Sequence, residues 1–273
     1  MKRVKKAIIP AAGYGTRNLP ITKVLPKEMI PICGRPAIDY IVQEAIESGI
    51  EDILIVVSRS KNLILDYYDT NPELEEYLKA HNKAELIEKL QIPNVRIQYV
   101  RQNYASGLGS AVNLGKRFVG DEPFAVMLPD EIILSKNNPP LLQLIDMYQN
   151  YKAASIIGLK VVDDSLLKNY GVISPKQIAD NQYKIEDIVE KPQESPPSNF
   201  AVIGRYIFEP TLFDYLEKTN PGIGSEMQLT DAIKLMLKKH PSYATVIKGK
   251  TYDVSKIPEY IALINKVWKS TEK

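Results

Sequence analysis

"KKAIIPAAGYGTRNLPITKVLPKEM", residues 5–29, is the stretch that decides the fold of this 273-residue chain. Its apolar start is typical of a buried strand and passes directly into a glycine loop that carries Arg17, Lys23 and Lys27. Guanidinium and ammonium groups bind phosphate oxygens, and glycine lets an anion approach backbone amides. The stretch therefore predicts an α/β fold with a polyphosphate bound beyond the carboxyl end of the first strand.

Strand-like and helix-like segments alternate through the first half of the chain. Apolar runs predict strands over residues 5–10, 52–57, 95–100 and 124–128. Helical spacing predicts one helix that ends at Gly49, and others over residues 72–90, from Gly107 onward and over 258–269. Closely spaced strand-like segments in the second half predict some antiparallel pairing. We expect a three-layer, Rossmann-like α/β fold with a mixed, mainly parallel sheet, in a single domain over 1–273 with halves 1–135 and 136–273.

The composition disfavours several classes of protein. The net charge is +2, from 35 basic and 33 acidic residues, and no basic block stands out, so we predict no nucleic-acid partner. No apolar stretch approaches the roughly 20 residues of a membrane-spanning helix, so we predict no membrane partner. Cys33 is the only cysteine, which excludes an internal disulfide and favours a reducing cytoplasm.

The glycine loop matches no complete dinucleotide motif. Gly13 and Gly15 form a G-x-G, but Asn18 stands where a third glycine would complete the Rossmann pattern, which disfavours an oxidoreductase. It is not a P-loop either, because its lysines do not follow a G-x-x-x-x-G. A bare G-x-G is more often a tight turn with solvated cations. The prolines and cations of the same loop favour the polyphosphate.

A series of motifs follows in the order of a known family. They are "IPAAGYGTRNLPITKVLPKEM", "PELE", "VRQ", "GLGSAV", "GDEPFAVMLPD", "YGVI", "VEKP", "PSNFAVIGRY", "GIGSEMQLTDAI" and "GKTYDV". In these motifs the chain resembles the bacterial UTP–glucose-1-phosphate uridylyltransferases, which are sugar-phosphate nucleotidyltransferases. The resemblance implies a GT-A-like fold, UTP and glucose 1-phosphate as substrates, UDP-glucose and pyrophosphate as products, Mg²⁺ as cofactor, and a homodimer or higher homo-oligomer.

The resemblance assigns the first half to the nucleotide. Backbone groups of the glycine loop would hold the nucleotide, namely those of Ala11, Ala12, Gly13 and Gly15. The side chains of Arg17 and Lys27 would hold its phosphates. The amide of Gln102 offers a donor and an acceptor, which match the imide edge of uracil. Gly107 would let the base approach the backbone, although a glycine there also suits a turn that caps a helix.

The resemblance assigns the second half to the sugar phosphate. Glu190 would bind glucose hydroxyls and Lys191 the phosphate, although adjacent Glu and Lys residues also form exposed ion pairs. Gly171 and Gly204 would let the sugar lie against the backbone, although glycines inside strands also mark bulges.

Two aspartates are the expected magnesium ligands. Asp130 follows a strand at its carboxyl end, where a carboxylate suits Mg²⁺ but also suits a helix N-cap. Asp253, in "YDV", matches a second metal-binding carboxylate of the family. Neither motif carries an obvious basic partner, so we expect two unpaired carboxylates that a shared metal brings together.

Two departures from the family pattern keep other functions open. Asn18 and Ser255 stand where the family differs, and Ser255 replaces the glycine of "YDxG". A related pyrophosphorylase that uses another nucleotide or sugar 1-phosphate, such as dTTP, is the first alternative. A non-catalytic homologue that binds UDP-sugars is the second.

Overall fold

A nine-stranded mixed sheet runs through the molecule, with helices packed on both of its faces. This computed structural model describes residues 2–271, without the side chain of Ile223. The strands are β1 (Lys6–Pro10), β2 (Pro31–Ile32), β3 (Arg35–Pro36), β4 (Asp52–Val57), β5 (Arg96–Arg101), β6 (Phe124–Met127), β7 (Glu131–Leu134), β8 (Ser155–Val161), β9 (Gly171–Ala179), β10 (Gln182–Glu190), β11 (Phe200–Phe208), β12 (Ser242–Val246) and β13 (Lys250–Asp253). The helices are α1 (Ala37–Glu47), α2 (Asn62–Tyr68), α3 (Pro72–Ala80), α4 (Leu108–Asn113), α5 (Lys116–Val119), α6 (Pro140–Asn150), α7 (Leu212–Leu216), α8 (Leu229–Leu237) and α9 (Ile257–Thr271).

The strand order is β5-β4-β1-β6-β11-β8-β12-β10-β9. Strands β5, β4, β1 and β6 pair in parallel, as do β8 and β12. Strand β11 is antiparallel to both β6 and β8, and β10 is antiparallel to β12 and β9. The predicted mixed α/β fold is confirmed. Parallel pairing dominates the first half, and antiparallel pairing dominates the second half.

Alternation along the strands explains the three layers. Successive side chains of a strand point to opposite faces of its sheet, so a strand buried on both faces is apolar throughout. In β1, Ala7 and Ile9 join the core under α1, α2 and α6, whereas Ile8 joins the core under α4, α7 and α8. Both faces of β1 are therefore covered, and the glycine loop leaves the sheet at the carboxyl end of this strand.

Some predicted elements differ from the observed ones. The helix expected over residues 72–90 ends at Ala80, and a 3-10 segment covers Ala84–Leu90. Asn82 between them has a φ of 55°, which an α-helix cannot continue through. Within the described residues, no helix combines the length and the apolar character that crossing a membrane requires.

A short ribbon of β7 and β13 brings distant parts of the chain together beside the sheet. Asp253 pairs with Glu131 across this antiparallel ribbon, and the Val254 amide donates to the Asp130 carbonyl at 3.0 Å. The ribbon therefore places Asp253 next to Asp130, the last residue of the turn between β6 and β7.

Candidate active site

A cavity of about 280 Å³ opens where the loops after β1 and β6 meet the second half of the chain. Both halves contribute side chains to its wall. The lining residues are Arg17, Leu108, Leu128, Asp130, Glu131, Asn169, Tyr170, Gly171, Glu190, Val202, Tyr206, Gln228, Leu229, Thr230, Asp253 and Lys256. Five of the predicted site residues are among them: Arg17, Asp130, Gly171, Glu190 and Asp253.

Lys27 and Asp130 form an ion pair at the edge of the cavity. The Lys27 Nζ lies 2.6 Å from Asp130 Oδ2, and each side chain is about one-fifth exposed. Burial alone would raise the pKa of Asp130, but the charge and hydrogen bond of Lys27 hold it below its usual value. Burial likewise opposes the charge of Lys27, and Asp130 raises that pKa. The expectation that Asp130 is unpaired is wrong, because the loop after β1 supplies its basic partner.

Asp253 is also paired, and Ser255 holds one side of its carboxylate. The Ser255 amide donates to Asp253 Oδ1 at 2.9 Å, and the Ser255 hydroxyl donates to the same oxygen. Arg17 Nη1 lies 3.7 Å from Asp253 Oδ2 and donates to Ser255 Oγ at 3.2 Å. The serine that departs from the family pattern therefore orients both the second carboxylate and the loop arginine.

Arg205 is a positioning residue that the sequence analysis did not single out. Its side chain is fully buried and forms two hydrogen bonds of 2.8 Å with the carboxylate of Glu44. It also donates to the carbonyls of Leu128 and Glu131, at 3.2 and 3.0 Å. These carbonyls flank Asp130, so Arg205 fixes the turn that presents this carboxylate. An arginine within the otherwise apolar run "AVIGRYIF" was the signal for it.

Gly204 has a packing role, which differs from the expectation that it lies against the sugar. A Cβ at this position would lie 2.3 Å from Leu128 Cβ, and Gly204 is not among the cavity-lining residues. Its amide donates to Glu131 Oε2 at 2.8 Å, and Lys160 contacts the other oxygen at 3.2 Å. The pairing of β11 shifts register beside it, between Val202 and Tyr206. Gly204 therefore fits the alternative prediction, in which a glycine inside a strand marks a bulge.

The sugar-side residues meet at the ends of β9 and β10. Glu190 Oε2 accepts a hydrogen bond from Thr230 at 2.6 Å. A Cβ on Gly171 would lie 3.4 Å from that same Glu190 oxygen, so a side chain here would enter the cavity. Lys191 has a φ of 45° and its Nζ lies 3.4 Å from Glu190 Oε1. It is adjacent to the cavity but not among its lining residues.

The glycine loop itself divides into buried and exposed parts. The Ala11 amide donates to the Val56 carbonyl at 2.7 Å just beyond the end of β1, so it is not free for a nucleotide. Ala12 is buried, and Gly13 is exposed with open space where a side chain would be. Gly15 has a φ of 68°, and its carbonyl accepts from Thr22 Oγ1 at 2.8 Å. Gly15 therefore shapes the loop.

The loop of Gln102 and Gly107 is joined by its backbone to the second half. A Cβ on Gly107, whose φ is 101°, would lie 2.5 Å from the Met227 carbonyl oxygen. The Met227 amide donates to the Ser106 carbonyl at 2.8 Å. Gln102 is buried, and its amide nitrogen lies 3.3 Å from the Gly107 carbonyl. Close backbone packing against Met227 thus explains Gly107, and this reason was not among those expected.

The fold and site match known proteins over nearly the whole chain. Residues 6–270 match the family described as nucleotidyl transferase, so the chain belongs to the nucleotidyl transferase family. A relative from Bacillus subtilis (strain 168) is 52% identical over 99% of this chain and 98% of its own length, and is named, provisionally, a UTP–glucose-1-phosphate uridylyltransferase. A Staphylococcus epidermidis protein with that name is 48% identical over 93% of this chain and 88% of its own length.

Two solved structures are also similar to this chain. A UDP-glucose pyrophosphorylase in complex with UDP-glucose has a TM-score of 0.87 and 42% identity, over 98% of this chain and 99% of that one. A UTP-bound enzyme of the same kind from Acinetobacter baumannii has a TM-score of 0.88 and 36% identity, over 97% of this chain and 93% of that one. Within the nucleotidyl transferases, this chain is therefore similar to enzymes that handle UTP and UDP-glucose.

Proposed function

We propose that the protein transfers the uridylyl group of UTP to glucose 1-phosphate. An oxygen of the sugar phosphate attacks the α-phosphorus in line, the bond from that phosphorus to the bridging oxygen breaks, and pyrophosphate leaves. The observation that carries the proposal is one cavity that joins paired carboxylates and loop cations to a sugar-side carboxylate, Glu190. The relatives and solved structures named above support the choice of substrates.

The reaction needs charge more than proton transfer. A phosphate monoester has a second pKa of about 6, so the nucleophile is already anionic at neutral pH. The protein has to bring two anions together and stabilise charge on the leaving group. Among the described residues that line the cavity there is no histidine or cysteine, and the cations Arg17 and Lys256 stand beside the carboxylates.

The two substrates would occupy different walls of the cavity. Arg17 and Lys27, from the loop after β1, would hold the phosphates of UTP. Ala12, Gly13 and Gln102 would face the nucleoside, with Ala11, Gly15 and Gly107 as supports of their loops. Gly171 and Glu190 would face the glucose, with Lys191 at the rim near its phosphate, since Lys191 Nζ lies 3.4 Å from Glu190.

Asp130 and Asp253 fit a magnesium site that the substrates complete. Mg²⁺ usually takes one or two carboxylates, with phosphate oxygens and water filling the remaining positions. Two aspartates line one cavity, and within residues 2–271 no group of three or more acidic, histidine or cysteine side chains forms a site of its own. When bound, the ion would neutralise phosphate charge.

Metal removal tests this site. We expect EDTA to abolish turnover and added Mg²⁺ to restore it, because the ion would neutralise phosphate charge beside the two carboxylates. Asp253→Asn should raise the Mg²⁺ concentration needed for half-maximal activity, whereas exposed Asp214→Asn should not. Full activity of the wild-type protein in metal-free buffer would contradict the assignment.

A nucleotide panel tests the substrates. Pyrophosphate release is measured with glucose 1-phosphate and UTP, dTTP, ATP or GTP in turn. We expect kcat/KM to be highest for UTP, with dTTP next and the purines far behind. A preference for dTTP would establish the related pyrophosphorylase, and no release with any nucleotide, despite binding of UDP-glucose, would establish the non-catalytic homologue.

The oligomer and the location remain predictions. The family resemblance supports a homodimer or higher homo-oligomer, and light scattering after gel filtration measures its mass. The exposed thiol of Cys33 suits a reducing cytoplasm. Fractionation of cells that express the protein tests the location.

A further inference from the structure

Lys256 is a cation of the cavity wall that the family motifs did not mark. It follows Asp253 in the segment between β13 and α9, and its side chain is 30% exposed. Its Nζ donates to the Tyr170 hydroxyl at 2.9 Å and to Glu259 Oε1 at 3.0 Å. The distance from its Nζ to Asp253 Oδ2 is 3.8 Å, which is too long for a hydrogen bond.

A count of donors shows what Lys256 still offers. A lysine ammonium has three N–H donors, and two of those on Lys256 are taken by Tyr170 and Glu259. The described residues supply no hydrogen-bond acceptor for the third. This donor belongs to a side chain that lines the cavity, so it is available to an anion bound there.

Tyr170 adds a second free donor at the same place. Its phenol oxygen accepts from Lys256 at 2.9 Å and from Lys160 at 3.2 Å. A phenol oxygen that accepts twice keeps its own proton to donate. Within residues 2–271 the structure records no acceptor for that proton, and Tyr170 also lines the cavity. The two donors together suit a group with several oxygens.

The position of the pair indicates which substrate it meets. Tyr170 directly precedes Gly171, and its carbonyl accepts from the Lys191 amide at 2.9 Å. The pair therefore lies on the wall assigned to glucose 1-phosphate, next to Asp253. Lys191 is bound to Glu190 at the rim, so the lining residues near this wall offer Lys256 as their cation.

We propose that Lys256 and Tyr170 bind the phosphate of glucose 1-phosphate and orient it for attack on UTP. This inference rests on the proposed function. Glu259 fixes the position of Lys256. Its Oε1 accepts from Lys256, and its Oε2 accepts from the Asp253 amide at 2.8 Å. The ammonium is thus fixed before substrate arrives, which lowers the entropic cost of the contact.

Kinetics of Lys256→Met test the proposal. A hydrogen bond to a charged group contributes enough that its loss should raise KM for glucose 1-phosphate about 10- to 100-fold. KM for UTP should stay within about twofold of wild type, because UTP meets other residues. Lys256→Arg should recover part of the loss, and Tyr170→Phe should show a smaller rise. The matched control is Lys266→Met, an exposed lysine of α9.

Binding without turnover gives the second readout. Calorimetric titration should show weaker UDP-glucose binding to Lys256→Met, and unchanged UTP binding. Equal KM for glucose 1-phosphate in Lys256→Met and wild type would overturn the proposal, and so would equal rises for both substrates, which would show that Lys256 acts through Asp253. If the wild-type protein forms no UDP-glucose, the proposed function fails separately. In that case glucose 1-phosphate alone is titrated into the wild-type protein and into Lys256→Met. Equal affinities of these two proteins for glucose 1-phosphate would overturn the inference.

Discussion

Lys27 and Asp130 lie 103 residues apart in sequence, and their charged atoms are 2.6 Å apart in the structure. The pair joins the loop after β1 to the turn after β6 at the edge of the cavity. Both charges are retained in the folded protein, because each holds the other's pKa in the direction of its charged form. The charges of Lys27 and Asp130 thus balance each other at the edge of the cavity.

The first prediction concerns Asp130→Asn. We expect turnover to fall by a factor of about 10²–10³, because a contact made in the transition state is lost. We also expect the free energy of unfolding to fall by about 1–3 kcal/mol, because Lys27 loses its ionic partner. Urea denaturation and steady-state kinetics measure the two effects. Asp214→Asn, on the surface of α7, is the control, and wild-type turnover in Asp130→Asn would refute the role.

The second prediction separates the two phosphate sites. Arg17→Ala should mainly raise KM for UTP, because Arg17 would hold the nucleotide phosphates. Lys191→Ala should mainly raise KM for glucose 1-phosphate or lower kcat. Exposed Arg117→Ala serves as a control for loss of one positive charge. Interchanged effects in the first two variants would show that the assignment is reversed.

The third prediction concerns the buried pair of Arg205 and Glu44. Removing one partner leaves the other charged and buried, so Arg205→Met and Glu44→Gln should each lower the free energy of unfolding by about 3–5 kcal/mol. The double variant Arg205→Met/Glu44→Leu should recover much of that stability, since an apolar replacement removes both charges.

The same double variant separates positioning from stability. Its kcat should remain low, because the carbonyls of Leu128 and Glu131 lose the donor that fixes the Asp130 turn. Recovery of wild-type kcat together with stability would show that Arg205 has no part in orienting Asp130.

The fourth prediction concerns pH. Lys61 donates to Glu28 at 2.7 Å, and both side chains are buried. Burial raises the pKa of Glu28 even with Lys61 present, and Lys61→Met removes the larger of the two lysine charges that oppose this rise, the other being Lys27. The unfolded carboxyl has a pKa of about 4.3. When the folded-state pKa lies above the unfolded one, the protonated carboxyl stabilises the fold. This stability is fully present below the unfolded-state pKa and is lost as the pH rises through the folded-state pKa.

Urea denaturation of Lys61→Met at pH 5 and at pH 8 measures this effect. We expect the variant to be distinctly more stable at pH 5, by a larger margin than the wild-type protein. The variant Lys61→Met/Glu28→Gln should lose this excess dependence, since it carries no carboxyl at that position. Equal pH dependence in Lys61→Met and wild type would contradict the prediction.

The sequence predicted the parts of the site that short motifs carry. Arg17 and Asp130 each follow a strand of the parallel half, so the carboxyl-end rule places them together. The sequence did not predict which distant segments contact each other. Asp253 lies next to Asp130 because β13 pairs with β7, and no local sequence pattern predicts the pairing of these two four-residue strands. For the same reason, Lys27 was not foreseen as the partner of Asp130.

Glycines show a second limit of sequence patterns. Gly107 and Gly204 were expected to make room for ligands. In the structure a Cβ at either position would strike another part of the protein, Met227 in one case and Leu128 in the other. A glycine pattern reports that something approaches the backbone closely. Whether that neighbour is substrate or protein depends on the tertiary arrangement.

The ribbon of β7 and β13 has a consequence for synthesis on the ribosome. Strand β12, which ends at Val246, is the last to join the nine-stranded sheet, and β13 begins at Lys250. A nascent chain that ends at β12 contains all nine strands of the sheet but still lacks Asp253, Ser255 and Lys256. The hydrogen bond from Arg17 to Ser255 closes a span of 238 residues and forms only after that. The part of the cavity wall that holds Asp253, Ser255 and Lys256 can therefore form only after every strand of the sheet has been synthesised.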